Sequence, residues 1–341
     1  MATLTRASQQ LFERSPDERF ESFQALWDHC QQEKQFSSDH WQTPRSLEPQ
    51  STGDEVIVSL DDMETYRLND WSFSQLCRLS GVSKETINRL SPETASRALR
   101  ETLPISDRPT QLLATGKSIR SLHGVNYTRL WNADLLSVVS EFATDFQPPQ
   151  KGIGGATGLY CGEQDLFAFM IDPAGWTEIE GEAFAPGFFV WNSEVGRRSL
   201  GVQTFWFQAV CQNHIVWDAT EVVEFTRKHT ASVHEGLGEI RRLIERLVAK
   251  RDERRDGFVR VISRAMTERL GSDADEVLKV LAREGIPRGL ATRAIELAQM
   301  SGRLSIFSLV DALTRLAQEV RYAGDRAEVD ARAASLLALA S

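Results

Sequence analysis

The chain has 341 residues, a net charge of −9, 41% hydrophobic and 26% charged residues. That composition excludes a disordered or fibrous protein and provides apolar material for one large or two medium cores. It also excludes a protein that coats nucleic acid by bulk positive charge. No run approaches the roughly 18 to 20 apolar residues of a membrane span, and the N-terminus lacks the apolar segment of a secretory signal. The expectation is a cytoplasmic protein without membrane association. Cys30, Cys77, Cys161 and Cys211 are scattered with no C-x-x-C pair, which predicts reduced thiols and neither a disulfide framework nor a zinc site.

In chain order, residues 1–50 form a polar N-terminal extension with one predicted helix, "SPDERFESFQALWDHCQQEK". Ser15 is its N-cap, Pro16 suits the first turn, and Phe20, Phe23, Leu26 and Trp27 share a face. "QFSSDHWQTPRSLEPQSTGDE" is loop-like, and Val56–Val58 is a short strand. Residues 71–103 are helical. Thr110–Gly124 is a hairpin turning at Thr115-Gly116-Lys117, and Asn132–Phe146 has helical spacing. From Leu159 to Phe225 the chain is apolar, aromatic and β-branched with turns between, which marks the sheet-rich heart. After Arg227 the pattern is helical to the end, with Asp273 capping one helix and Gly285 stopping it. The expected architecture is α+β, a central mostly antiparallel sheet flanked by helical N- and C-terminal parts. Its divisions are the extension 1–50, an α+β core 51–230, and a C-terminal helical region 231–341 packed on or extending the core.

Two glycine motifs invite a nucleotide reading. "ATGKS" lacks the first glycine of a phosphate loop, because Gln111 stands there, and no helix starts at Ser118. "GIGGATG" (Gly152–Gly158) has no strand before it and no helix after it, so a loop is expected. "SQLCRLSGVSKETINRL" (Ser74–Leu90) resembles a helix-turn-helix: Cys77, Gly81 and Ile87 have its spacing, and Lys84, Glu85, Asn88 and Arg89 would face a groove. Two short helices around a glycine turn is the plain alternative. Cys211 and His214 have C-x-x-H spacing but no second cysteine pair completes a zinc set. No nucleophile–base arrangement, metalloprotease motif or fixed carboxylate pair appears, so no catalytic residue, cofactor or enzymatic activity is expected.

The basic residues are unevenly placed. Arg197 and Arg198 follow Gly196 in the polar turn "NSEVGRRS" between two aromatic strands, and Arg227, Lys228 and His229 close the last strand. Such clusters suit an anion such as phosphate. Arg242, Arg246 and Lys250 recur at helical spacing and would track a phosphate backbone, although interleaved acids also fit a salt-bridged exposed helix. Trp191 and Trp206 are candidate base-stacking platforms, provided that either faces outward.

The blocks "WSFSQLCRLSGVSKETINRLSPETASRAL", "LLATGKSIRSLHGVNYTRLWNADLLSVV", "GLYCGEQDLFAFMID", "FFVWNSEVGRRSLGVQTFWFQAVCQNHIVW" and "RKHT" follow one another in an order similar to the phage/plasmid-related family labelled domain of unknown function 932. Near the C-terminus Asp311-Ala312-Leu313-Thr314 stands where that family has an "NA-x-T"-like signature. The resemblance spans about residues 70–341. It implies an association with mobile DNA and supplies no catalytic residue. In the family the segment matching Gly81–Thr86 often holds a proline after the turn, which works against a regular recognition helix. The resulting expectation is a non-enzymatic, homo-oligomeric protein that binds single-stranded DNA through a basic groove with aromatic platforms. The rivals are a structural or interaction protein without a nucleic-acid role, and a helix-turn-helix regulator.

Overall fold

The computed structural model describes residues 10–11, 14–60, 64–151, 155–208, 214–216, 224–300, 302, 304–317, 333 and 335–340. The fold is α+β and mostly antiparallel, but it carries two sheets where one central sheet was expected. Each sheet is built from one continuous stretch of chain.

The first sheet has the order β1-β5-β6-β4-β3-β2. Its strands are β1 (Ser37–Gln42), β2 (Glu48–Thr52), β3 (Glu55–Ser59), β4 (Thr65–Leu68), β5 (Thr110–Thr115) and β6 (Ser118–Gly124). The expected hairpin is present: Thr115 pairs with Ser118 around Gly116 and Lys117. Gly116 has φ +57° while Lys117 has no positive φ, the pattern of a type II′ turn. β1 and β2 correct the loop expected over residues 35–55. Both are polar edge strands, which need a paired backbone on one side and no apolar face, so composition concealed them. Helices α2 (Asp70–Leu79) and α4 (Pro92–Thr102) cover one face of this sheet, with Leu76, Cys77, Ala95 and Leu99 packed on Leu112, Ala114, Ile119 and Leu122. Between them, α3 (Lys84–Ile87) is a single turn capped by Ser83.

The second sheet runs β12-β11-β10-β8-β7, with β13 on β11 and β9 on β10. Its members are β7 (Leu159–Cys161), β8 (Leu166–Ile171), β9 (Thr177–Ile179), β10 (Glu182–Asn192), β11 (Leu200–Gln208), β12 (His214–Val216) and β13 (Glu224–Arg227). β8, β10 and β11 are nearly continuous apolar runs because both faces of the sheet are buried. Phe188, Val190, Leu200 and Val202 meet α1 (Phe23–Gln35), α5 (Asn132–Phe142) and α6 (Glu235–Ala249). Farther along, Phe184 and Trp206 receive α7 (Arg251–Thr267), α8 (Ala274–Arg283), α9 (Arg288–Met300) and α10 (Ile306–Ala317). The opposite face is an aromatic layer of Phe167, Phe169, Phe189, Trp191, Phe205 and Phe207, with Leu11 and Trp176 against it.

The N-terminal segment is a working part of the core rather than an extension. Leu26 and Cys30 of α1 are fully buried in the second sheet's core, while β1 joins the first sheet. The helix predicted from Ser15 breaks in two: a 3-10 turn Pro16–Glu18, then α1 capped by Ser22. The break falls where Arg19 bridges to Tyr160 and the Phe20 amide donates to the Leu159 carbonyl at 3.0 Å. The C-terminal helices pack on Phe184 and Trp206 of the second sheet. No helix among the described residues is long and apolar enough to cross a membrane.

Gly187 shows how tightly β10 is held. A Cβ there would lie 2.4 Å from the Met170 carbonyl oxygen and 2.8 Å from the Phe205 ring. A paired strand's backbone cannot step aside, so Gly187→Ala is expected to lower stability by about 1–3 kcal/mol. Thermal unfolding checks this; a variant as stable as the parent would mean that β8 and β10 separate freely.

Candidate functional site

The polar turn between β10 and β11 is the centre of a buried network that joins the two sheets. β10 runs to Asn192 and β11 begins at Leu200. Between them Ser193 donates to the Gln164 carbonyl at 2.5 Å and accepts from the Arg197 amide at 2.8 Å. Gly196 adopts φ +70°, and a Cβ on it would lie 2.6 Å from the His123 ring, so glycine lets the turn seat against the first sheet. Trp71 Nε1 donates to the Val195 carbonyl at 2.8 Å.

Glu194 points inward, its side chain without solvent exposure. Arg120 Nη1 donates to its Oε2 at 2.9 Å and the Asn132 amide to its Oε1 at 2.8 Å. Its own carbonyl accepts from Tyr127 at 2.8 Å and from Arg129 at 2.6 Å. Burial raises the Glu194 pKa above the usual carboxylate range, against the pull of Arg120 and the Asn132 amide. Burial likewise works to lower Arg120, but Glu194 and Glu33 carry it above its ordinary value. Such a pair is costly to desolvate and is held here by one hydrogen-bond donor on each carboxylate oxygen.

Two satellites flank the pair. On one side His123 stacks on Tyr127 with ring centres 3.7 Å apart, and Tyr127 on His229 at 5.4 Å. Burial, aided by Arg129, lowers His123 to about 3, and burial lowers His229 to about 4 although Nδ1 lies 3.3 Å from the Thr128 carbonyl. Both rings are therefore neutral at pH 7. On the other side Arg120 Nη2 lies 3.7 Å from Glu33, Glu33 lies 3.7 Å from His29, and Cys161 lies beneath them. The network has the chemistry of a latch: both oxygens of its buried carboxylate are tied to groups from the first sheet and the start of α5.

The predicted residues are distributed around this latch. Arg197 is exposed, its guanidinium 5.4 Å over the Trp71 ring. Arg198 pairs with Asp165 at 2.5 Å and Arg227 with Glu235 at 3.3 Å. The register Leu200↔Arg227 does bring Arg227 to the strand end that carries Arg198. Lys228 is exposed, whereas His229 is buried with its ring in the aromatic stack. Trp191 and Trp206 are corrected as stacking platforms, being only 5% and 0% exposed. Trp191 lies on Gly201, and Trp206 is stacked at 3.8 Å on Phe258, because alternation on a doubly covered sheet turns every aromatic into core. Arg242 pairs with Glu239 at 2.7 Å, Arg246 and Lys250 are exposed, and the next member of the row, Arg254, is turned inward. The basic row is thus mixed with acids and ends in the core.

The helix-turn-helix segment keeps its glycine turn, with Gly81 at φ +69°, and exposes Asn88 and Arg89. Its second helix, however, is four residues long, and Lys84 is tied to Asp70. "GIGGATG" lies partly outside the described residues; Gly158 leads directly into strand β7, with no helix. Cys211 lies outside the described residues, as does the His214 side chain.

A second place offers open space. A cavity of about 610 Å³ lies between the end of α2, the β5–β6 strand ends and the loop Pro104–Pro109. Leu79, Leu122, Pro44, Pro104 and Pro109 give it apolar walls, and Arg78 and Arg108 line it. Arg45 follows Pro44 and is exposed. No acidic side chain lines the cavity among the described residues. Gln75 is committed to the Leu122 amide at 2.8 Å and braces the wall. Trp41, 52% exposed on edge strand β1, stands one register position from the wall residue Thr110, which pairs with Gln42. Nothing in the local sequence around Arg78 or Arg108 signals this pairing; the end of α2 and the loop Pro104–Pro109 bring them together.

No family model, no curated protein and no solved structure matches the chain.

Proposed function

We propose that the protein binds single-stranded nucleic acid at the cavity beside α2, in the setting of mobile DNA to which its sequence blocks are similar. The observation that carries the reading is the placing of Arg78 and Arg108 without an acid partner among the described residues, around apolar walls, with Arg45 exposed next to the wall residue Pro44. Elsewhere on the surface Arg67, Arg97, Arg198, Arg227, Arg241, Arg242 and Arg264 are each matched to a carboxylate, while Arg89, Arg197 and Arg246 stand exposed away from the apolar walls. Unmatched guanidiniums suit phosphate oxygens, and an apolar-walled cavity of this size suits an unstacked base. Trp41 replaces the buried tryptophans as the exposed stacking surface. A net charge of −9 fits local contacts at one site better than a coating protein.

The test is fluorescence anisotropy of a labelled oligonucleotide titrated at several salt concentrations. Arg78→Ala and Arg108→Ala are each expected to flatten the log–log salt dependence by roughly 0.7. Trp41→Ala is expected to cost about 1–3 kcal/mol of affinity, while Arg242→Ala leaves binding unchanged. Absence of binding at low salt would sink the proposal and favour an interaction protein without a nucleic-acid role.

A further inference from the structure

The His29, Glu33 and Cys161 satellite of the latch lies apart from the cavity. His29 and Glu33 stand one turn apart on α1, and Cys161 ends β7 directly beneath them. A ring nitrogen of His29, a carboxylate oxygen of Glu33 and Cys161 Sγ all lie within 4.8 Å of one another. Cys30, on the same helix, places its Sγ 4.0 Å from Cys161 Sγ. That is about twice a disulfide length and close to the roughly 3.8 Å between two thiolates on one tetrahedral zinc with 2.3 Å bonds. Glu33 Oε2 is buried and receives no hydrogen bond. This buried oxygen has no hydrogen bond, only the Arg120 guanidinium at 3.7 Å and the His29 ring at 3.7 Å, so its lone pairs are open to a metal ion beside the imidazole and the thiol.

We propose that His29, Glu33 and Cys161, completed by Cys30, form a zinc site that staples α1 to β7. The mixed nitrogen, oxygen and sulfur donor set is that of zinc rather than calcium or magnesium, which take oxygen ligands. Zinc bonds of about 2.0–2.3 Å need the ligand atoms roughly 3.5 Å apart, so a contraction of about 1 Å closes His29, Glu33 and Cys161, and Cys30 joins them from the Cys161 side. Binding replaces the two thiol protons by the metal: two S–H bonds break, two Zn–S bonds form, and both protons leave to solvent. Zinc with two thiolates and one carboxylate carries one net negative charge, and Arg120, 3.7 Å from Glu33, faces it. Asn132 Nδ2, 3.9 Å from Cys161 Sγ, supplies an outer hydrogen bond to the thiolate.

The full chain, reduced and stripped of metal, is titrated with cobalt(II), which reports sulfur ligation through a thiolate-to-cobalt charge-transfer band in the near ultraviolet. One cobalt per chain, displaced by zinc, with two protons released per zinc, is the expected result. Cys161→Ser abolishes the band, Cys30→Ser weakens it, and Glu33→Gln lowers affinity about 10-fold or more while the band remains. Circular dichroism confirms that each variant is folded, and Glu33→Gln, at a half-buried helix position, carries the test if Cys161→Ser does not fold. No charge-transfer band with thiols verified as reduced overturns the site. So does cobalt uptake unchanged in Cys161→Ser, or a Cys30–Cys161 disulfide forming with no metal uptake.

Discussion

Glu194→Ala is expected to destabilise the protein by about 3–5 kcal/mol, the range for removing one partner of a buried ion pair. The loss has three parts in the structure. Arg120 is left in the interior with only Glu33, 3.7 Å away, to balance it. The Asn132 amide at the start of α5 loses its acceptor. The turn carbonyls of Ser193 and Glu194 lose the anchor that aims them at Tyr127 and Arg129. Against the 5–15 kcal/mol typical of a folded domain, this is a large fraction. Glu194→Gln keeps an acceptor for the Asn132 amide and costs less. The paired apolar replacement Arg120→Met with Glu194→Leu recovers much of the loss, because desolvating the pair is itself expensive. Urea unfolding of the three variants checks the ordering; a Glu194→Ala loss within 0.5 kcal/mol of zero would show that the turn is not a latch.

Acidification is expected to weaken the fold between about pH 6.5 and pH 4, through the buried imidazoles. In the unfolded chain a histidine takes up its proton near 6.5. In the folded protein His229 does so at about 4 and His123 at about 3. Within that window the unfolded state binds more protons, so stability falls as pH falls. For His229 alone the loss reaches roughly 3 kcal/mol at about 1.4 kcal/mol per pH unit. Arg129, which lowers both rings, and His234, which acts on His229, belong to the same environment. Glu194 works in the opposite sense, since a carboxyl with a raised pKa gains its proton more readily when folded. The comparison with His229→Gln therefore isolates the imidazole: the variant's unfolding midpoint should fall less between pH 7 and pH 4.5. Parallel profiles for parent and variant would refute the assignment.

Much of the fold was legible because its signals are local. Gly116 with a polar neighbour made the hairpin, Asp273 and Gly285 bounded α8, and the aromatic runs marked the second sheet. What escaped has no local signature. β1 and β2 are polar edges defined by the strands they pair with. The division into two sheets depends on where β4 lies parallel to β6, across the intervening helices α2–α4. The turn "NSEVGRRS" that the sequence singles out for its arginines also carries the buried network. The arginines were weighed for their charge, whereas the buried member is Glu194, whose partner Arg120 is distant in sequence and looked like an ordinary strand residue. The tryptophans failed as platforms because a strand pattern reveals alternation, not whether both faces are covered.

The placement of α1 has a consequence for synthesis. Leu26 and Cys30 are buried against Leu159, Cys161 and Leu166, and the Phe20 amide is satisfied by the Leu159 carbonyl. Because α1 precedes β7 in the chain, it reaches its final surroundings only after the second sheet has been translated. Domains usually settle in the order in which they are made. Here α1 closes over strands made more than a hundred residues later, so an arrested or truncated translation product ending before β7 would hold α1 with its apolar face uncovered.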